Sequence, residues 1–356
     1  MTRVFPLVVI KKARIACLLF LGPLLAAPVS ARHKAVQHPQ FDLKRPEIVA
    51  FVADVVARDQ LPKKQVLALL RKGEPQPKII EAMTRPAEKV TPWWEYHDRF
   101  LTEERVSQGA DFYLEHRESL ERIASSRGIP PEYLVAIMGV ETKYGRVIGH
   151  YRVLDALMTL AFDYPPRSDY FRGELEQFLL LYSEEHLDPL KVTGSYAGAM
   201  GVPQFMPSSY RLFAVDGNDD KKRDLWNDWD DILASIANYF VEHGWESGGP
   251  VLAETKLDPE PKFQIDTHNL ELNETVDSLN AQGVEVVGEQ TQTGTTPVVL
   301  ISAEQQDGPA YRVGFKNFYV ITRYNRSARY AMAVHDLAEA IAQRVHSDQP
   351  LAAARP

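Results

Sequence analysis

The chain has 356 residues, 45% of them hydrophobic and 25% charged, with 24 Pro and 20 Gly. This composition excludes a disordered or fibrous protein and leaves room for two or three domains. The net charge of −8 falls to −12 once the four basic residues of the leading segment are removed, which argues against non-specific binding to nucleic acid.

Residues 1–31 read as a secretory signal. Arg3, Lys11, Lys12 and Arg14 stand without an acid, residues 15–25 are apolar, and Val29-Ser30-Ala31 offers a small-residue cleavage site. The expected mature chain begins at Arg32. The only cysteine, Cys17, lies inside the apolar run rather than after it, which argues against a lipid anchor and leaves the exported chain without disulfides or thiolate chemistry. No later stretch approaches the ~18 uninterrupted apolar residues of a transmembrane helix.

Helical signals dominate residues 45–182. After Pro46, the spacing of Ile48, Phe51, Val52, Val55 and Val56 predicts an amphipathic helix, and Val66, Leu69 and Leu70 predict a second after Pro62. Pro75, Pro77 and Pro86 are expected to break the next stretch. Pro92-Trp93-Trp94 then precedes a long periodic run over residues 100–123. Between Gly248 and Gly314 the texture turns to short β-branched runs, such as residues 284–287 and 297–301, and predicts a small antiparallel β insertion. Helical spacing returns over residues 330–345. The expected division is a signal over 1–31, a helical arm over 32–91, a core over 92–248, a β domain over 249–317, a returning core segment over 318–345 and a tail over 346–356.

Residues 129–145 carry the first chemical signal. A proline-initiated helix is apolar over residues 133–140, then places Glu141 near its end before Gly145. Apolar surroundings raise a carboxyl pKa, as a general acid working near neutral pH requires. The competing reading is a solvated glutamate paired with Lys143 or Arg146. In residues 194–210, small residues let a polymer approach the backbone while Gln204 offers both a donor and an acceptor.

Together with Gly139-Val140-Glu141-Thr142 and the segment Phe318-Tyr319-Val320-Ile321-Thr322-Arg323-Tyr324-Asn325-Arg326-Ser327, this turn resembles the membrane-bound lytic transglycosylase B family, enzymes that cut bacterial peptidoglycan. The resemblance covers about residues 92–342. It implies a mainly α (α+β) fold: a lysozyme-like helical core, a helical accessory domain and the small β insertion. It further implies that Glu141 is the sole catalytic acid and base, that Ser195 and Gln204 line the glycan cleft, and that Tyr239, Tyr324 and Tyr330 surround the glutamate. Read without the resemblance, the three tyrosines are core residues with satisfied hydroxyls.

Residues 216–227 follow part of the calcium-loop pattern. Asp216, Asn218 and Asp220 stand at positions 1, 3 and 5, and Lys222 can offer its carbonyl at position 7. Lys221 replaces the usual glycine and Asn227 the usual glutamate. The resemblance supplies a closing aspartate from the next helix, with Asp231 the best counterpart and Asp230 the alternative; the competing reading is an acidic turn that caps that helix. His243 and His335 lack metal spacing and read as structural or surface residues.

The reaction implied is cleavage of the β-1,4 bond between N-acetylmuramic acid and N-acetylglucosamine, with closure of a 1,6-anhydro ring by Glu141 and help from the sugar's N-acetyl group. No cofactor is needed for that chemistry, and a structural Ca2+ is the one metal the resemblance admits. Peptidoglycan strands are the expected partner, with cell-wall synthases or amidases as further ones, in a periplasmic monomer. The rival readings are a lysozyme-type hydrolase and a non-catalytic glycan-binding scaffold.

Overall fold

The computed structural model describes residues 39–84, 91–185, 187–263, 266, 269–288 and 294–352, with side chains to residue 347. The expected signal, Cys17 and the cleavage point before Arg32 lie outside the described residues.

Helices come first. Those of the N-terminal part are α1 (Pro46–Asp59), α2 (Lys63–Leu70) and α3 (Pro77–Thr84). In α1 the spaced apolar residues Ile48, Phe51, Val52 and Val55 are all buried, and the Phe51 ring meets Phe162 edge-on at 5.6 Å. Pro77 starts α3 instead of breaking it, because a missing N–H costs nothing in the first turn. The expected run over residues 100–123 is divided between α4 (Trp93–Phe100), α5 (Glu103–Glu115) and α6 (Arg117–Arg127). Thr102 caps α5 by accepting from Arg105 N at 3.2 Å, and His116, at φ −108°, separates α5 from α6.

Helix α7 (Pro131–Thr142) is apolar on every side, and its residues from Tyr133 to Gly139 are buried. A helix of that kind must be enclosed by others. Here α5, α6 and two later helices, α11 (Trp229–Glu242) and α14 (Ala328–Ala352), surround it. Each fully covered side chain, such as Leu134, Ile137 or Met138, contributes about 1.5–3 kcal/mol by leaving water. The helix stops at Thr142, before Gly145. Lys143 and Tyr144 already adopt left-handed φ of 50° and 59°, and Tyr144 N reaches back to Met138 O.

After α7 come β1 (Tyr151–Arg152), α8 (Val153–Asp163), α9 (Ser168–Glu185), β2 (Thr193–Gly194), α10 (Pro207–Phe213) and α11 (Trp229–Glu242). The β insertion then contains β3 (Leu252–Leu257), β4 (Glu274–Thr275), α12 (Val276–Ala281), β5 (Val284–Val287), β6 (Pro297–Ser302) and β7 (Tyr311–Gly314). Its sheet has the order β4-β6-β7-β3-β5 and is antiparallel throughout, with Leu300 opposite Val313. Successive side chains on a strand face opposite ways. Accordingly Val298 and Leu300 join Val276, Leu279 and Val313 in a small core of the insertion, while Val299 and Ile301 join the main helical core.

The chain ends with α13 (Lys316–Tyr324) and α14 (Ala328–Ala352). Buried Asn317 ties the insertion's entry to α13: its Nδ2 donates to Glu246 O and Gly249 O, and its Oδ1 accepts from Glu246 N. Arg312 of β7 forks onto Asp336 of α14 at 2.9 and 2.8 Å. Among the described residues no helix is long and apolar enough to cross a membrane.

Candidate active site

Helix α7 delivers Glu141 in its last turn, half-buried beneath aromatic side chains. The Tyr330 hydroxyl donates to Glu141 Oε1 at 2.7 Å. Burial pushes the Glu141 carboxyl up to about 7, and the Tyr330 hydrogen bond opposes the shift. Among the described residues Glu141 makes no ion pair, with Lys143 and Arg146 or with any other cation, and no other acid perturbs it. This is the environment in which a carboxylic acid stays protonated near neutral pH.

Of the three expected tyrosines, Tyr330 touches Glu141, Tyr324 lies within its electrostatic reach, and Tyr239 joins them through Tyr324. Tyr330 stacks beside Tyr324 at 6.5 Å and 12°, and Tyr239 meets Tyr324 at 4.8 Å. The latter two also have the satisfied hydroxyls of core residues: Tyr324 donates to Pro203 O at 2.6 Å and Tyr239 to Arg323 O at 2.7 Å. His243 stacks on Tyr239 at 4.0 Å, and half-buried His335 accepts or donates at Tyr133 Oη, 2.7 Å away. Both histidines act as structural residues.

The turn that holds Ser195 and Gln204 closes on the end of α7. Thr142 Oγ1 donates to Val202 O at 3.1 Å, so the residue after Glu141 is bonded directly to the turn. Ser195 Oγ accepts from Ala199 N at 3.1 Å and Ala197 N at 3.3 Å, holding the turn's shape. Gln204 stands at φ 53°, and its Nε2 donates to Gly201 O at 2.9 Å and Ile148 O at 3.2 Å. That leaves Gln204 Oε1 without a donor among the described residues. Glycine is required at 201, where φ is 67° and a Cβ would lie 2.5 Å from Leu225 O.

The acidic loop lies beside the turn rather than at Glu141. Asp216 accepts from the backbone N–H groups of Asn218, Asp220 and Lys221, Asn218 Oδ1 from Asp220 N, and Asp220 Oδ1 from Lys222 N. Lys221 has φ 69°, the conformation that glycine usually supplies at this position of a calcium loop. Asp231 is the aspartate that faces the loop, accepting from Gly217 N and Asp224 N at 2.7 Å each. Asp230 instead pairs with Arg122 at 2.6 Å.

Burial pushes the Asp231 carboxyl up; the Gly217 and Asp224 N–H groups pull it down, and Asp228 and Asp216 push it up further. The loop also braces the cleft turn, since Val202 N donates to Leu225 O at 2.8 Å and Trp226 Nε1 to Thr193 O at 3.3 Å.

Sequence reasoning missed several of these parts. Thr142 was adjacent to the singled-out glutamate, but its bond to Val202 spans 60 positions. Tyr96, within electrostatic reach of both Glu141 and Arg329, sat in the aromatic cluster after Pro92 with no role assigned. Phe205 packs at 5.6 Å from Tyr239 and 5.8 Å from Tyr324. Asp228 caps α11 and also accepts from Asn218 Nδ2 at 2.7 Å, so the capping aspartate lies just beyond the loop.

A helical core that encloses one glutamate beside a glycine-rich turn defines the lysozyme-like class of glycan-cleaving enzymes. The sequence matches the transglycosylase SLT domain over residues 44–339. It is 36% identical over 322 residues to membrane-bound lytic murein transglycosylase B of Escherichia coli, covering 87% of each chain. Among solved structures, catenated lytic transglycosylase SltB1 of Pseudomonas aeruginosa superposes with a TM-score of 0.81 at 43% identity, over 84% of this chain and 98% of that one. The E. coli lytic transglycosylase Slt35 in complex with calcium superposes with a TM-score of 0.77 at 36% identity, over 88% and 98%. The chain belongs to the SLT transglycosylase family, with a lysozyme-like, mainly α fold. It is a peptidoglycan lytic transglycosylase.

Proposed function

We propose that Glu141 performs both proton transfers as the chain cuts the β-1,4 bond between N-acetylmuramic acid and N-acetylglucosamine. Protonated Glu141 gives its proton to the glycosidic oxygen as the bond from the muramic acid C1 to that oxygen breaks. The sugar's own acetamido oxygen holds the developing cation. Glu141, now ionised, takes the proton of the same sugar's C6 hydroxyl, whose oxygen closes on C1 to form the 1,6-anhydro ring. The carboxyl ends the cycle protonated.

The observation that carries this reading is the isolation of Glu141: its charge state is governed by burial and the Tyr330 hydroxyl, and no second acid among the described residues perturbs it. Ordinary glycosidases place two carboxyls about 5–9.5 Å apart, and substrate assistance is the exception that works with fewer. Ser195 and Gln204 position the glycan, where the free Oε1 of Gln204 suits an acetamido N–H. Tyr239, Tyr324 and Tyr330 form the wall behind the reacting sugar.

Digestion of purified peptidoglycan sacculi, scored by mass spectrometry, tests the assignment. Wild type should release 1,6-anhydro ends, and Glu141→Gln should lose about 10²–10⁴-fold of that turnover while keeping its fold. Reducing ends instead would mean hydrolysis, and abundant anhydro product from Glu141→Gln would place the acid elsewhere.

A calcium ion fits the acidic loop. Its donors are oxygens only, and Asp216, Asp220, Asp228 and Asp231 form no ion pair among the described residues. No three His, Cys, Asp or Glu side chains there converge as a ready cage, so backbone and amide oxygens must complete the set. Asp216, Asn218, Asp220, the Lys222 carbonyl and Asp231 would hold the ion. Its contribution is structural, through the bonds that link the loop to the cleft turn and α11.

The basic, then apolar, leading segment supports export to the periplasm, and N-terminal sequencing of the exported chain should begin at Arg32. The two apolar clusters support treating the β insertion, about residues 249–317, as a domain of its own.

A further inference from the structure

A carboxyl that serves as acid and then as base must reach two oxygens in turn, the glycosidic oxygen and the C6 hydroxyl of the same sugar. Placement then limits the rate, because an error of about 1 Å can cost about 10²-fold. Glu141 is held from two sides: its carboxyl accepts from Tyr330 at 2.7 Å, and its backbone runs on into Thr142, the last residue of α7. Thr142 is buried, at 1% exposure. Its Oγ1 accepts from Gly145 N at 3.1 Å and faces two carbonyls, Val202 O at 3.1 Å and Met138 O at 3.3 Å. A threonine within a helix commonly bonds back to the carbonyl four residues earlier, which here is that of Met138. The carbonyl of Val202, on the cleft turn, is the nearer one.

The two sides of Glu141 meet again in that turn. Tyr330 stacks beside Tyr324, the Tyr324 hydroxyl donates to Pro203 O at 2.6 Å, and Pro203 follows Val202. These contacts close a ring from the Glu141 carboxyl through Tyr330, Tyr324, Pro203 and Val202 to Thr142, and so back to Glu141. A second branch leaves the same hydroxyl through Gly145 and follows the chain to Ile148, whose carbonyl accepts from Gln204 Nε2 at 3.2 Å. We infer that Thr142 is a positioning residue, whose hydroxyl fixes the Glu141 carboxyl relative to Gln204 and the cleft turn. The hydroxyl is committed to backbone groups, so it acts through Glu141 and not on the sugar. Without it the Val202 carbonyl and the Gly145 N–H lose this partner, and the ring is joined only through the tyrosines.

Because Thr142 acts through Glu141, the inference rests on the reading of Glu141 as the acid, and Glu141→Gln is run beside the Thr142 variants. The measurement is kcat and KM for release of anhydro ends from purified sacculi. Thr142→Val keeps the outline and removes the hydroxyl; kcat should fall by roughly 10–100-fold while KM changes by less than about threefold. Thr142→Ser keeps the hydroxyl and should return kcat to within about threefold of wild type. Thr142→Cys, a weak donor, should fall between the two, and it takes the place of Thr142→Val if that variant does not fold. Combined with Tyr330→Phe, Thr142→Val or its Cys substitute should cost less than the product of the two separate losses, because both open the same ring. Wild-type kcat in Thr142→Val or its Cys substitute, a loss confined to KM, no recovery in Thr142→Ser, or fully multiplicative losses would each overturn the inference while leaving Glu141 as the acid. Wild-type turnover in Glu141→Gln would overturn the parent reading and the inference with it.

Discussion

Glu141 and Asp231 are both carboxylates near a helix end, and burial raises the pKa of each. Their surroundings send them to different work. Glu141 sits in the last turn of α7, where the partial negative charge of the helix end disfavours an anion, and it receives one donor, the Tyr330 hydroxyl. Asp231 sits in the first turn of α11, where the helix end favours an anion, and it receives two backbone N–H groups. One group is therefore free to exchange a proton, whereas the other is committed to holding a loop. Burial alone does not make a carboxylate catalytic; the number and kind of its donors do.

The sharpest way to break this contrast is at Asp231. Replacing it by Ala leaves the Gly217 and Asp224 N–H groups without their acceptor and should cost about 2–4 kcal/mol in denaturant unfolding. In wild type, calcium should raise the melting temperature, by an amount equivalent to about 2.7 kcal/mol at a hundredfold excess over Kd, and Asp231→Ala should lose most of that gain. Identical melting of wild type in calcium and in chelator would mean that the loop is held by its own hydrogen bonds alone.

A smaller effect is expected at Tyr330. Its hydroxyl lowers the Glu141 pKa, so Tyr330→Phe should move the alkaline limb of the pH–activity profile upward from about 7. The loss in kcat at the optimum should be roughly tenfold, the worth of one hydrogen bond to a charged group. An unmoved limb would mean that another group sets it.

The helix bearing Glu141 was legible because an unbroken apolar run of that length, ending in one acid, fits an enclosed helix and little else. The glycine-rich turn was legible through the close approaches it permits. Other parts were not. The strand β3, Leu252–Leu257, runs Glu254-Thr255-Lys256 through its middle with no buried residue, so its period is faint. The six-residue α12 is fixed by reciprocal bonds of Thr275 and Ser278 rather than by periodicity. The choice between Asp230 and Asp231 depended on Arg122, a partner 108 positions away. Long-range partners of this kind leave no local trace, and the link from Thr142 to Val202 is another.

The claim that one enclosed carboxyl serves as both acid and base is tested most directly by titrating it. With ¹³C in the glutamate side-chain carboxyls, the resonance absent from the Glu141→Gln spectrum identifies Glu141, and its midpoint should lie at about 7. The same shift acts on stability. A carboxyl raised above its unfolded value of 4.5 stabilises the fold fully below that pH, and this contribution is lost as pH rises through about 7. Glu141→Gln should therefore be more stable than wild type at pH 8 by on the order of 1–3 kcal/mol. A midpoint near 4.5, with no stability difference at pH 8, would contradict the reading of Glu141 as a protonated acid at the start of the reaction.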